Sequence, residues 1–187
     1  MPALQSQYKI TTWEQYEALP SEPRAEIFDG HIYYMAGPSR THQALLLELS
    51  SLLRSYVKQK KGVCEVLPAP FDVVLSESPF TVVQPDIMIV CDKSKLEENR
   101  CNGAPDFIIE IVSPSNQADD YIRKLYYYQN HGVREYWIVD PKKKRIFVNY
   151  FEGGILSVPY TFDSTVKVNI YEDLYIDFAE ITSSISE

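Results

Sequence analysis

Only three cysteines, seven glycines and three histidines occur in 187 residues. The cysteines, Cys64, Cys91 and Cys101, are odd in number and form no CxxC pair, which argues against a zinc knuckle or a disulfide framework, so buried free thiols are expected. No apolar run approaches the ~20 residues of a membrane span. The opening MPALQSQYKITTWEQ also lacks the basic and apolar regions of a secretory leader, so a cytoplasmic protein without membrane association is expected. Positive charge is scarce too: 18 basic residues against 26 acidic ones leave a net charge of −8, which excludes attraction of polyanions through the average field. Any nucleic-acid contact has to be local. There are no internal repeats or long low-complexity segments, and a composition 45% hydrophobic and 24% charged suits one globular domain over residues 1–187.

Alternating elements follow with clear punctuation. Thr11-Thr12-Trp13-Glu14 has capping-box spacing for a short helix ending near Pro20, and residues 25–35 read as a hairpin around Asp29-Gly30. Ser39 or Thr41 starts a helix in which Leu45, Leu49, Leu52 and Tyr56 recur on one face, with Gly62 as its stop. Strands are expected at 64–67, 71–75, 82–90 and 107–112, with a polar loop over 92–103. A second helix over 119–130 precedes strands at 135–139 and 145–151, and the remainder from Ile155 reads as short strands and turns. Helices between sheet strands point to a mixed α/β sheet with helices on its faces.

One strand poses a chemical question. In APDFIIEIVSP, Glu110 stands among Phe107, Ile108, Ile109, Ile111 and Val112, apolar on both alternating faces, as in a strand covered on both sides. An unpaired carboxylate there costs several kcal/mol unless something compensates it. The other core strand contains Gln84-Pro85-Asp86. If the two strands pair, Asp86 and Glu110 converge at the sheet's end, where two acids need a shared proton or a divalent cation. An all-oxygen site suits Mg²⁺ or Mn²⁺ better than Zn²⁺. Asp86 also has a simpler reading, as a strand-start cap beside proline.

On the following helix, Asp120, Lys124 and Tyr128 form one stripe at four-residue spacing. That stripe fits either an exposed Asp120–Lys124 pair or an ammonium directed toward the sheet as an electrophile. Lys142-Lys143-Lys144-Arg145 reads as a solvated hairpin tip, with a phosphate-contacting patch as the alternative. His42 reads as a structural histidine before a catalytic one. Glu110 alone favours function by its placement.

Taken in order, Pro85-Asp86, PDFIIEIVSPSN at 105–116, D-x-x-x-K-x-x-x-Y at 120–128, HGVREYWIVDP at 131–141 and the earlier EIFDGHIYYMAGPSRTHQ resemble the Uma-two family of the PD-(D/E)XK nuclease superfamily over nearly the whole chain. The resemblance implies an α/β, restriction-endonuclease-like mixed β-sheet flanked by helices, with additional N-terminal and C-terminal strands. It also implies a metal-dependent endonuclease that hydrolyses phosphodiester bonds of DNA. Asp86 would be the PD aspartate and Glu110 the acid of (D/E)XK; both, with the main-chain carbonyl of Ile111, would hold Mg²⁺ or Mn²⁺. Where the motif wants lysine the chain has Val112, so the resemblance moves that role to Lys124. Glu26, His42 and Asp120 would support the site, and two copies would pair as a homodimer to cut both strands. Lys58, Lys60, Lys61, Arg123 and Arg40 are the cations available for a DNA groove. The other classes open to the chain are a catalytically idle nuclease-fold binding module and a hydrolase of a smaller phosphodiester.

Overall fold

Residues 9–113 and 118–185 are described by the computed structural model, the side chains of 118–120 excepted. Helix α1 (Trp13–Glu17) starts at Thr12, whose hydroxyl accepts from the Gln15 N–H. The hairpin β1 (Ala25–Phe28) and β2 (His31–Tyr34) turns through Asp29 and Gly30 at φ 52° and 81°, the left-handed pair that a tight two-residue hairpin needs. Helix α2 (Arg40–Gln59) is capped by the Ser39 hydroxyl. Its buried stripe is Leu45, Leu49, Leu53 and Val57, following a four-residue ridge. Leu52 and Tyr56, expected on the buried face, only flank it.

Strands β3 (Glu65–Pro68), β4 (Asp72–Glu77), β5 (Phe80–Val83) and β6 (Ile87–Val90) come next. The strand expected over 82–90 is broken at Gln84-Pro85-Asp86, because Pro85 has no N–H for a ladder and the chain passes there from one sheet to the other. The expected polar loop at 92–103 holds a 3-10 turn at Lys93–Lys95 and strand β7 (Arg100–Asn102), which pairs in parallel with β4. After β8 (Phe107–Ile111), α3 (Ala118–His131), β9 (Glu135–Asp140) and β10 (Arg145–Tyr150), the chain forms β11 (Ile155–Thr161), β12 (Thr165–Lys167), β13 (Tyr175–Asp177) and α4 (Phe178–Ile185). Sequence reading missed α4.

Two sheets make up the body, β2-β1-β5-β4-β7 and β11-β10-β9-β8-β6-β3, with β12-β13 as a separate pair. In the larger sheet β8 and β9 run parallel, joined by α3, while β6 lies antiparallel to β8. Alternation sorts the side chains. Ile87, Ile89, Phe107, Ile109, Ile111, Trp137 and Val139 pack with α2 and α4 on one face. Met88, Val90, Ile108, Tyr136 and Ile138 pack on the other face with α3 and with Phe28, Val73, Leu75 and Val83 of the smaller sheet. Glu110 has the parity of Ile108, so it enters this second layer. No helix among the described residues is long and apolar enough to cross a membrane.

The same pairing corrects the cysteines. Glu65 pairs with Val90, so one step outward Cys64 meets Cys91, and the two are joined as a disulfide. That partnership depends on the β3–β6 register and not on spacing along the chain. Cys101 is the buried free thiol, and burial pushes its pKa up to about 11.

Candidate active site

Ile87 pairs with Ile109, and Met88 with Ile108. Continuing this register by one residue sets Asp86 opposite Glu110 at the end of the sheet. Asp86 Oδ2 accepts from the Ile111 N–H at 2.7 Å and lies 3.1 Å from His42 Nε2. His42 is only 6% exposed, and its Nδ1 has no hydrogen-bond partner among the described residues. The first turn of α2, held by the Ser39 cap, thereby brings an imidazole to the start of β6.

On α3, Lys124 and Tyr128 lie one turn apart and both reach Glu110. Lys124 Nζ is 3.0 Å from Glu110 Oε1, and the Tyr128 hydroxyl donates to the same oxygen at 2.6 Å. Lys124 Nζ also lies 2.9 Å from Glu26 Oε1, and its side chain is 4% exposed. Glu26 is buried in β1 and accepts from the Gln84 N–H at 3.0 Å, just before the chain crosses between sheets. Both sheets and both long helices therefore supply the cluster. The Asp120 side chain lies outside the described residues.

Burial pushes the Glu110 carboxyl up, to about 8, against the pull of Lys124; Asp86 and Glu26 push it the same way as burial. Burial, then the negative Glu110 and Glu26, raise the Tyr128 hydroxyl well above its ordinary value, which keeps it a donor. Two carboxylates, Glu26 and Glu110, thus meet one ammonium. Asp86 Oδ1 and Glu110 Oε2 make no hydrogen bond or ion pair with the described residues. Both acids line a cavity of about 270 Å³ with Ile111, His42, Lys124 and Arg24. Among the described residues no three His, Cys, Asp or Glu side chains are grouped to hold a metal by themselves. A divalent cation would rest on two carboxylates, a main-chain carbonyl and water, an oxygen set that fits Mg²⁺ or Mn²⁺.

Of the residues singled out in the sequence, Glu26, His42, Asp86, Glu110, Ile111 and Lys124 come together. The suggested groove cations do not gather. His42 and Lys58 lie 16 residues apart on α2, about 24 Å at 1.5 Å per residue; Lys60 is paired with Asp173, and the Arg123 guanidinium stacks 4.2 Å from the Tyr33 ring. Sequence reading gave no role to Tyr128, Gln84 or Arg24. The four-residue spacing from Lys124 marked Tyr128; Gln84 and Arg24 depend on the crossing between sheets.

The two-sheet α/β fold with acids at the end of its central strands defines a restriction-endonuclease-like architecture. Residues 13–179 match the family described as "Uma2: Putative restriction endonuclease", and the chain belongs to that family. Two relatives from Synechocystis sp. are "Uncharacterized protein slr1290", 27% identical over 129 residues (68% of this chain, 64% of the relative), and "Uncharacterized protein sll1609", 28% identical over 120 residues (63% and 66%). The chain thus spans a little under two thirds of the length of these curated relatives. The crystal structure of "a putative nuclease belonging to DUF820" from Anabaena variabilis shares the fold, with a TM-score of 0.75 at 23% identity, covering 92% of this chain and 97% of that one.

Proposed function

We propose that the chain is a metal-dependent endonuclease that hydrolyses phosphodiester bonds of DNA. The observation that carries this reading is the Lys124 ammonium, buried 3.0 Å from Glu110 at a cavity that Asp86 also lines. Asp86, Glu110 and the Ile111 carbonyl would hold Mg²⁺ or Mn²⁺. When bound, such an ion polarises a phosphoryl oxygen and lowers the pKa of a coordinated water.

The protein's own groups supply the rest. Lys124 offers a positive charge to the phosphate as negative charge develops on its oxygens, inside a site shielded from bulk water. Glu26 and Tyr128 fix where that charge sits: one anchors the ammonium from β1, the other holds Glu110 Oε1 in place. His42 and the Ile111 N–H restrain Asp86 in the same way. Arg24, a second cation on the cavity wall, is suited to the non-bridging phosphate oxygens. No covalent intermediate is required. Cutting both strands would need two copies.

The cavity's volume, about 270 Å³, favours a second reading, a smaller phosphodiester as substrate. Calorimetric titration with Mn²⁺ tests the site independently of any substrate. The wild-type protein is expected to bind one ion and Glu110→Gln to bind it at least tenfold more weakly; equal affinities would remove the assignment.

A further inference from the structure

A second cavity, of about 600 Å³, lies against the same helix as the acidic one. Thr41 and Leu45 of α2 line it, whereas His42, Gln43 and Leu46 line the acidic cavity. Adjacent residues of one turn, Thr41 and His42, thus face different cavities on a helix about 10–12 Å across with its side chains. The turn between β9 and β10 brings Lys143, Lys144 and Arg145 to this second cavity, and its one acidic lining residue among the described residues is Asp163.

All three cations are exposed. Lys143 lies 3.5 Å from Asp140, an exposed lysine's contact that contributes little. Lys144 and Arg145 make no ion pair among the described residues. Lys144 also occupies a left-handed position at φ 50°, where glycine or asparagine fits with less strain. In a chain of net charge −8, three adjacent cations at a concave surface beside the acidic site form a local field opposite to the average one.

We propose that this cavity is a phosphate-contacting subsite, where Lys143, Lys144 and Arg145 grip the backbone of a nucleic acid strand whose scissile phosphate sits at Asp86 and Glu110. At 3.4 Å per nucleotide along a strand, an offset of one helix width corresponds to on the order of three nucleotides. The inference rests on the nuclease reading and narrows it, because a small phosphodiester would occupy the acidic cavity alone and never meet this turn.

The test is fluorescence anisotropy of a labelled DNA oligonucleotide with the full chain carrying Glu110→Gln, so that binding is read without cleavage. Adding Lys143→Gln, Lys144→Gln and Arg145→Gln together is expected to weaken binding at least tenfold at about 100 mM salt and to reduce the salt slope by about two to three. If the triple variant melts earlier than its parent, Lys144→Gln and Arg145→Gln are measured singly, each expected to reduce the slope by about one. An unchanged affinity and slope overturns the proposal, as does a parent protein that binds no oligonucleotide. Displacement of the oligonucleotide by inorganic phosphate at matched ionic strength would also overturn it, by marking a free-phosphate site. Failure here leaves the Mn²⁺ titration standing, so loss of the subsite is distinguishable from loss of the nuclease reading.

Discussion

Lys124 on α3 and Glu110 on β8 meet at 3.0 Å with side chains only 4% and 12% exposed. A lysine so placed sits among acids that cannot turn to solvent, since Glu26 on the opposite sheet holds the same ammonium at 2.9 Å. Lys124 is therefore both a candidate catalytic cation and the counter-charge that makes the acidic layer tolerable.

Removing that charge leaves two buried carboxylates uncompensated. Lys124→Ala is expected to destabilise the metal-free protein by about 3–5 kcal/mol, read by urea denaturation. Adding Glu26→Gln to this variant should recover part of the loss. A Lys124→Ala protein as stable as wild type would contradict the pairing.

Tyr128→Phe deletes the 2.6 Å hydrogen bond to Glu110 while keeping the ring that packs edge-on against Tyr136. A hydrogen bond to a charged partner contributes about 1.5–3 kcal/mol, so the variant should lose stability in that range, or less where Glu110 takes up a proton. Its Mg²⁺-dependent turnover should fall several-fold as Glu110 loses its anchor. A variant matching wild type in both would remove Tyr128 from the site.

His42→Ala withdraws the imidazole from Asp86 Oδ2 and leaves the Ile111 N–H as its remaining partner. Groups that orient metal-ligating side chains typically govern affinity by 10–100-fold. Calorimetry should therefore show Mn²⁺ binding weakened by about that factor, with less change in His42→Gln, whose amide can still donate. An unchanged affinity in His42→Ala would make the imidazole merely structural.

Glu135 offers a stability test away from the site. Fully buried, it accepts from Trp137 Nε1 at 2.7 Å, Asn169 Nδ2 at 2.8 Å and the Ile170 N–H at 2.9 Å, tying the C-terminal segment to β9. Glu135→Gln turns one acceptor into a donor facing another donor, at a cost of about 1–3 kcal/mol. Burial raises the carboxyl's pKa despite these bonds, so the folded state holds its proton more tightly than the unfolded chain. Wild-type stability from this group is therefore greatest at acid pH and declines as pH rises from the ordinary glutamate value through the raised one. Melting curves across that range should show a shallower decline in Glu135→Gln than in wild type, the remainder coming from groups such as Glu110 whose carboxyl is also raised.

Glu110 was legible because one acid in a two-sided apolar strand breaks a period-two pattern; α3 periodicity left Lys124 open between an exposed pair with Asp120 and a sheet-directed ammonium, and the family resemblance favoured the second. The Asp29-Gly30 hairpin and the Ser39 cap were legible as local chemistry. What escaped depends on contacts distant along the chain. The Cys64–Cys91 bond needs the β3–β6 register, and β7 gains its strand character only from β4 beside it. The break at Gln84-Pro85-Asp86 makes physical sense once two sheets are present, since it carries the chain between them and leaves Asp86 at the edge of the cavity. Helix α4, eight residues with Ser183 and Ser184 near its end, carries a weak local signal; Phe178 and Ile181 fix it by burial against the core.

The central claim is that Asp86, Glu110 and Lys124 form one hydrolytic site. Its most direct test is the rate at which purified wild type, Asp86→Asn, Glu110→Gln and Lys124→Ala, each checked for folding, cleave plasmid DNA with Mg²⁺ and with EDTA. The account predicts cleavage by wild type that EDTA abolishes, and a loss of at least about 100-fold in each variant, the scale of removing one electrostatic or proton-transfer group. Variants that cleave as fast as wild type, or wild-type cleavage indifferent to EDTA, would contradict it.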